Sequence, residues 1–280
     1  MAVPLPNDLK GRSLLAVFAH PDDESLACGG LLAWCAQLGV RVSLLCATHG
    51  EHGPGSEPGR GSSSGAGSLR EARDRELRAA ARILGVTDLL LLDYEDGMLP
   101  WVGVEELSAD ILNAIRRLRP DVVITFGEDG LYWHPDHIAV HERTTAAVAS
   151  IRDDAPALYY VTMPARAMQT LVKSAANTRA GHRIGSLSER YVLGVSNADA
   201  FGSLALPPTL VVDVGHFATR KLAAITCHRT QVGNGALSGV KTRDAARFLG
   251  IEHYRRADIG SRRHAFIECF ASARRDESTP

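Results

Sequence analysis

Two apolar runs of strand length, Leu14-Leu15-Ala16-Val17-Phe18 and Val122-Val123-Ile124-Thr125-Phe126, each lead into a turn built from histidine, proline and aspartate. The first turn is Ala19-His20-Pro21-Asp22-Asp23-Glu24, followed by Ser25 to Trp34, whose apolar positions suit a helix. The second is Tyr132-Trp133-His134-Pro135-Asp136-His137, again opening onto a helix-like segment. Imidazoles and carboxylates crowded at strand ends belong at the carboxyl edge of an open α/β sheet, where such folds place their ligands. Proline and aspartate are also ordinary turn and helix-cap residues, so one such motif alone would read as a capped helix start. Its recurrence at a second strand end favours two turns meeting over one sheet edge around a shared cation.

The segments between and beyond the motifs fix the fold class. Val40 to Thr48 reads as a buried strand. From Arg70 to Gly85 the residues Leu77, Ala80, Ala81 and Leu84 form one apolar helical stripe, with the charged residues, Arg73 among them, read by default as a solvated face. Asp88 to Tyr94 is a nearly continuous apolar strand, as expected where both sheet faces are covered. Leu107, Ile111, Ile115 and Leu118 mark a further helix, ended by Pro120. Strand and helix alternate at a spacing that implies right-handed βαβ units. The expectation is a single α/β domain over 1–280: a Rossmann-like, doubly wound, largely parallel sheet with helices on both faces. Leu158 to Met163 and Thr209 to Val214 are further strands, and Lys221 to Thr226 lies in a helix. Residues 50–68, rich in Gly, Ser and Pro, read as a mobile loop at the site, with His49, Glu51 and His52 at its root. Residues 164–208 read as an insertion over the site or a contact in a homo-oligomer.

A hydrophobic fraction of 45% is enough to bury a full core, and a formal net charge of -1 gives no general attraction to nucleic acid or anionic membrane. No run approaches the roughly 20 apolar residues of a membrane helix, so membrane insertion is not expected. Met1 to Lys10 lacks the features of a signal peptide, which points to the cytoplasm. The five scattered cysteines contain no Cys-x-x-Cys pair and read as core thiols.

Hydrolytic zinc takes three protein ligands from histidine and carboxylate and leaves a place for water. His20, Asp23 and His137 supply that set. Asp22, adjacent to the ligands, suits a general base and acid, or else an acceptor that holds His20 in one tautomer. His134, in protonated form, could stabilise an oxyanion, with Asp136 orienting or charging its ring and Tyr132 adding a hydrogen bond. Alternatively His134 is the ligand and His137 is not; spacing leaves both readings open. No His-Glu-x-x-His, Gly-x-Ser-x-Gly, Walker loop or Gly-x-Gly-x-x-Gly is present. His182, His216, His253 and His264 stand apart and read as structural or exposed.

The paired motifs resemble those of the PIG-L/LmbE-like zinc N-deacetylases, which include deacetylases of mycothiol and bacillithiol biosynthesis and of N-acetylglucosaminyl-phosphatidylinositol. The resemblance extends to Arg73-x-x-Glu76-Leu77, to Asp96-Gly97, and to Lys221 with His228-x-Thr230-Gln231. It implies that His20, Asp23 and His137 are metal ligands, Asp22 the general base, His134 the transition-state stabiliser with Asp136 as its partner, and Tyr132 an accessory group. Arg73 matches a substrate-binding arginine. The resulting expectation is a Zn2+ hydrolase, with Fe2+ an alternative in cells, acting on a small-molecule N-acyl amino sugar. Asp96 and Arg73 would meet sugar hydroxyls, and Trp101 or Trp133 would either stack on a ring or pack in the protein. A thiol-conjugate amidase, a non-heme iron oxygenase and a non-catalytic metal or sugar binder are the rival readings.

Overall fold

The structure, a computed structural model, describes residues 8–53, 66–165, 167–170, 172, 198–203, 205–233 and 236–272, with 66 and 67 described in backbone only. The Gly/Ser-rich loop and most of the 164–208 segment lie outside the described residues. One seven-stranded sheet organises the chain, in the order β3-β2-β1-β4-β5-β7-β6. Its strands are β1 (Ser13–Phe18), β2 (Arg41–Thr48), β3 (Asp88–Tyr94), β4 (Val122–Phe126), β5 (Ala157–Thr162), β6 (Leu210–Asp213) and β7 (Ile251–Gly260). The first five pair in parallel, and β7 runs antiparallel to both β5 and β6.

The helices around the sheet include α1 (Asp23–Gln37), α2 (Ala66–Leu84), α3 (Val104–Leu118), a distorted single turn α4 (Gly130–Trp133), α5 (Pro135–Ala149) and α6 (Ala218–Ile225). α1, α2 and α6 pack on one another, and α3 packs on α5, giving the two layers of a doubly wound sheet. β1 and β4 are buried along their whole length. Unbroken apolar runs suit such central strands because neither face meets water.

β3 departs from expectation. Although equally apolar, it is only half-buried, because it lies at the sheet edge with a neighbour on one side alone. β7 was not expected at all. Its inward positions include Glu252 and Tyr254, both buried, so a carboxylate occupies a place where the period-two pattern would call for an apolar side chain.

Strand order reverses between β1 and β4, whose central residues pair directly, Ala16 with Ile124. Both motifs therefore leave neighbouring strand ends at the topological switch point, where parallel sheets open a crevice. Phe18 and Phe126, the last residues of the two strands, meet edge to face with centroids 4.9 Å apart and form the floor beneath the motifs.

Candidate metal centre and active site

The turn after β1 is strained at Asp22, whose φ of 124° is rare for a residue with a Cβ. Such a conformation costs on the order of 1–3 kcal/mol and persists only where its surroundings enforce it. Asp22 precedes α1 in the N-cap position, yet its side chain makes no capping hydrogen bond. Its carboxylate instead faces Arg73, with Oδ2 3.5 Å from Nη2. The capped-turn reading thus fails for this residue. Burial pushes its carboxyl up to about 7, against the pull of the Arg73 guanidinium.

In the second motif the histidine itself caps the helix: His134 Nδ1 accepts the Asp136 backbone N–H at 3.2 Å. That bond needs a bare Nδ1, so the ring is neutral and Nε2 carries the hydrogen. Burial, and then the imidazoles of His137 and His20, lower its pKa to about 4. The expectation of a protonated His134 is therefore corrected; it is a neutral donor.

His137 stacks on Phe126 at 4.0 Å, its plane only 9° away, and its Nδ1–H donates to the Gly130 carbonyl at 3.0 Å. A carbonyl can only accept, so Nε2 is left as a bare lone pair. His20 Nε2 lies 3.1 Å from Asp136 Oδ2 and 3.0 Å from Asp96 Oδ1, so in the neutral ring Nδ1 is the bare nitrogen. These two nitrogens face each other at 3.1 Å, with Asp23 Oδ1 3.2 Å from the His137 nitrogen and Asp23 Oδ2 3.5 Å from that of His20. Acceptors that converge this closely need a positive charge between them, either a proton or a cation. Burial opposes charge here, yet hydrogen bonds to Asp136, Asp23 and Asp96 raise the His20 pKa well above its ordinary value. Against the same burial, His137 and His20 hold Asp23 below the usual carboxylate range.

Donor atoms of His20, His134 and His137 also lie within 4.8 Å of one another, as do those of His20, Asp96 and Asp136. The second group is occupied in another way. Asp136 accepts the Gly97 and Leu99 amides at 2.8 and 3.2 Å, and Asp96 accepts the His52 amide at 2.9 Å. Backbone donors thus anchor both carboxylates, and both turn toward His20. This corrects one expectation: the Asp136 carboxylate partners His20 rather than His134. Asp96 supports His20 as well. The same arrangement removes the reading of Asp22 as the tautomer-holding acceptor, since Asp96 and Asp136 fill that role. Glu51, at the root of the Gly/Ser-rich loop, accepts the Asp96 amide at 3.1 Å.

Arg73 is 3% exposed, so it does not belong to a solvated face. Its Nη2 donates to the Pro21 carbonyl at 2.7 Å and its Nη1 to the Gly50 carbonyl at 2.9 Å. A Cβ on Gly50, itself at φ +65°, would lie 2.3 Å from the guanidinium carbon, so this close approach requires glycine. Tyr132 packs edge-on to His137 at 5.0 Å, and burial raises its hydroxyl well above its ordinary pKa, so it remains a donor. Trp101 and Trp133 are 80% and 46% exposed and are not packing residues.

For three buried groups that the sequence reading names, the structure supplies the partners. His228 Nε2 lies 3.0 Å from Glu24 Oε1, Lys221 Nζ lies 2.6 Å from Glu252 Oε1, and His49 sits between Asp74 and Asp93 at 2.6 and 3.0 Å. The charged letters were visible; their partners are as many as 204 residues away.

The PIG-L profile, described as GlcNAc-PI de-N-acetylase, matches residues 15–148, which include both motifs. The 1D-myo-inositol 2-acetamido-2-deoxy-alpha-D-glucopyranoside deacetylase of Acidothermus cellulolyticus is 34% identical over 264 residues, covering 87% of this chain and 88% of the relative. The chain belongs to the PIG-L family. Among solved structures, this PIG-L protein is similar to the N,N'-diacetylchitobiose deacetylase of Pyrococcus horikoshii, with a TM-score of 0.59 and 24% identity over 88% of this chain and 84% of the other. It is also similar to GalB, the 4-carboxy-2-hydroxymuconate hydratase of Pseudomonas putida, with a TM-score of 0.60 and 19% identity over 88% and 96%. At these identities the likeness is one of fold, and a fold that serves both a deacetylase and a hydratase does not choose the reaction.

Proposed function

We propose that this PIG-L-family chain hydrolyses the N-acetyl amide of a glucosamine-type glycoside, using a divalent cation, zinc, held by His20, Asp23 and His137. The observation that carries this reading is the pair of imidazole nitrogens facing each other at 3.1 Å with the Asp23 carboxylate beside them. Two imidazoles and one carboxylate match the donor chemistry of catalytic zinc. When bound, such a cation lowers the pKa of a coordinated water toward neutrality.

The remaining work falls to the chain's own side chains. Asp22 accepts the proton of the attacking water and passes it to the departing amine, and its raised pKa suits both transfers at neutral pH. The neutral His134 donates its Nε2–H to the developing oxyanion, with the Tyr132 hydroxyl as a second donor. Arg73 holds the Pro21–Asp22 turn in place. Asp96 and Asp136 fix the His20 tautomer, the role carboxylates play behind ligating histidines. The identity with glucosaminyl-inositol deacetylases supports an N-acetylglucosaminyl substrate. Five free cysteines fit the reducing cytoplasm, and no described helix is long and apolar enough to cross a membrane.

Incubation with N-acetylglucosaminyl-inositol and simple N-acetylglucosamine glycosides should release acetate and primary amine in equal amounts, stop on chelation and resume with added zinc. Turnover by chelated, metal-free protein would remove the cation from the mechanism. Failure to release acetate from any N-acetyl sugar would remove the function.

A further inference from the structure

The strain at Asp22 needs a restraint, and the structure places one on either side of it. On one side Arg73 binds the Pro21 carbonyl and faces the Asp22 carboxylate. On the other, the Asp22 backbone N–H donates to Glu24 Oε2 at 3.1 Å. Glu24 is 1% exposed, and its Oε1 accepts from Ser25 Oγ at 2.5 Å and from His228 Nε2 at 3.0 Å. His228 is wholly buried. It is fixed in turn by the segment that follows it, where Thr230 gives its backbone N–H and its hydroxyl to Glu76 at 3.0 and 2.7 Å. Glu76 lies one helical turn beyond Arg73 on α2. One helix therefore braces the Asp22 turn twice, directly through Arg73 and indirectly through Glu76, the His228–Thr230 segment and Glu24.

We infer that Glu24 and His228 are positioning residues for the proton-transferring carboxylate: they hold the Asp22 backbone at its strained φ and so aim its side chain. Glu24 and His228 both fall in segments that resemble the family, but the resemblance gives neither a role; their contacts here are with the Asp22 amide, Ser25 and each other. A buried carboxylate that accepts the amide of a strained residue, itself held by a buried imidazole from across the molecule, is more than a helix start requires.

The inference rests on Asp22 being the base, and the test separates the two. Glu24→Gln, Glu24→Ala, His228→Asn and Asp22→Ala are compared with the native protein for kcat, KM, bound zinc and thermal midpoint. The expected result is a loss of about 10- to 100-fold in kcat for Glu24→Ala and His228→Asn, with KM within twofold and zinc at the native stoichiometry. Glu24→Gln, which still offers an acceptor to the Asp22 amide, should recover part of that loss. Native kcat in folded, zinc-loaded Glu24→Ala and His228→Asn overturns the inference. So does a loss that merely follows falling zinc content or thermal midpoint. Full activity in Asp22→Ala would instead overturn the assignment of the base, whatever the other variants do.

Discussion

Asp22 and Asp23 are adjacent and chemically identical, yet their carboxyls titrate in opposite directions. Both are buried; Asp23 lies against two imidazoles and is held ionised, whereas at Asp22 the more distant Arg73 and His228 do not offset desolvation and the charge of neighbouring carboxylates. Replacing Asp22 with Ala should lower kcat by about 10²- to 10⁴-fold while zinc content stays native. Elemental analysis alongside turnover checks this, and loss of metal would mean that Asp22 is a ligand. His134 carries two roles of different size. As a helix cap its removal costs about 1 kcal/mol of stability, whereas as an oxyanion donor its removal costs about 10²- to 10³-fold in kcat. His134→Ala should therefore unfold only slightly earlier in denaturant yet be almost inactive. A variant that is active in proportion to its folded fraction would reduce His134 to a cap.

α1 carries the first motif into the core, and it is broken at Cys28, where φ reaches -144°. Glu252 of β7 accepts the Gly30 and Leu31 amides at 2.8 and 2.9 Å, and Lys221 of α6 neutralises it. Gly30 has no room for a side chain, since a Cβ would lie 2.5 Å from Val214. The helix that positions Asp23 is thus tied to the antiparallel strand by two backbone amides on a carboxylate that α6 neutralises. Lys221→Met would leave Glu252 buried and uncompensated, a change that costs about 3–5 kcal/mol. Urea titration of the purified variant measures it, and native stability there would mean that the two amides and the Tyr254 hydroxyl are sufficient for Glu252.

The chain as a whole brings together two turns separated by more than a hundred residues, and a cation gripped by both would bind the folded state alone. Saturating zinc at about a hundred times its dissociation constant should then add about 2.7 kcal/mol of stability, a rise of about 5 °C in thermal midpoint for a chain of this size. Scanning fluorimetry with chelator and with zinc measures the shift. His137→Ala should abolish it, and an equal shift in that variant would place the cation elsewhere.

The sequence alone determined the sheet class and the place of the two motifs on it. Central strands buried on both faces must be written as apolar runs, and the residues that follow them must then lie at the sheet's carboxyl edge. That is why the two histidine-bearing turns could be set at one sheet edge before any coordinates. Which carboxylate meets which imidazole was decided only by the tertiary structure. Asp136 is one residue from His137 and two from His134, yet serves His20, because the Gly97 and Leu99 amides anchor it there. Arg73 looked like one charge among many on a polar helix until packing buried it, and β7 was hidden because its inward residue is a glutamate. Periodicity along a chain reports which face of an element is dry. It carries no record of the polar partner that another element, far along the chain, brings to that face.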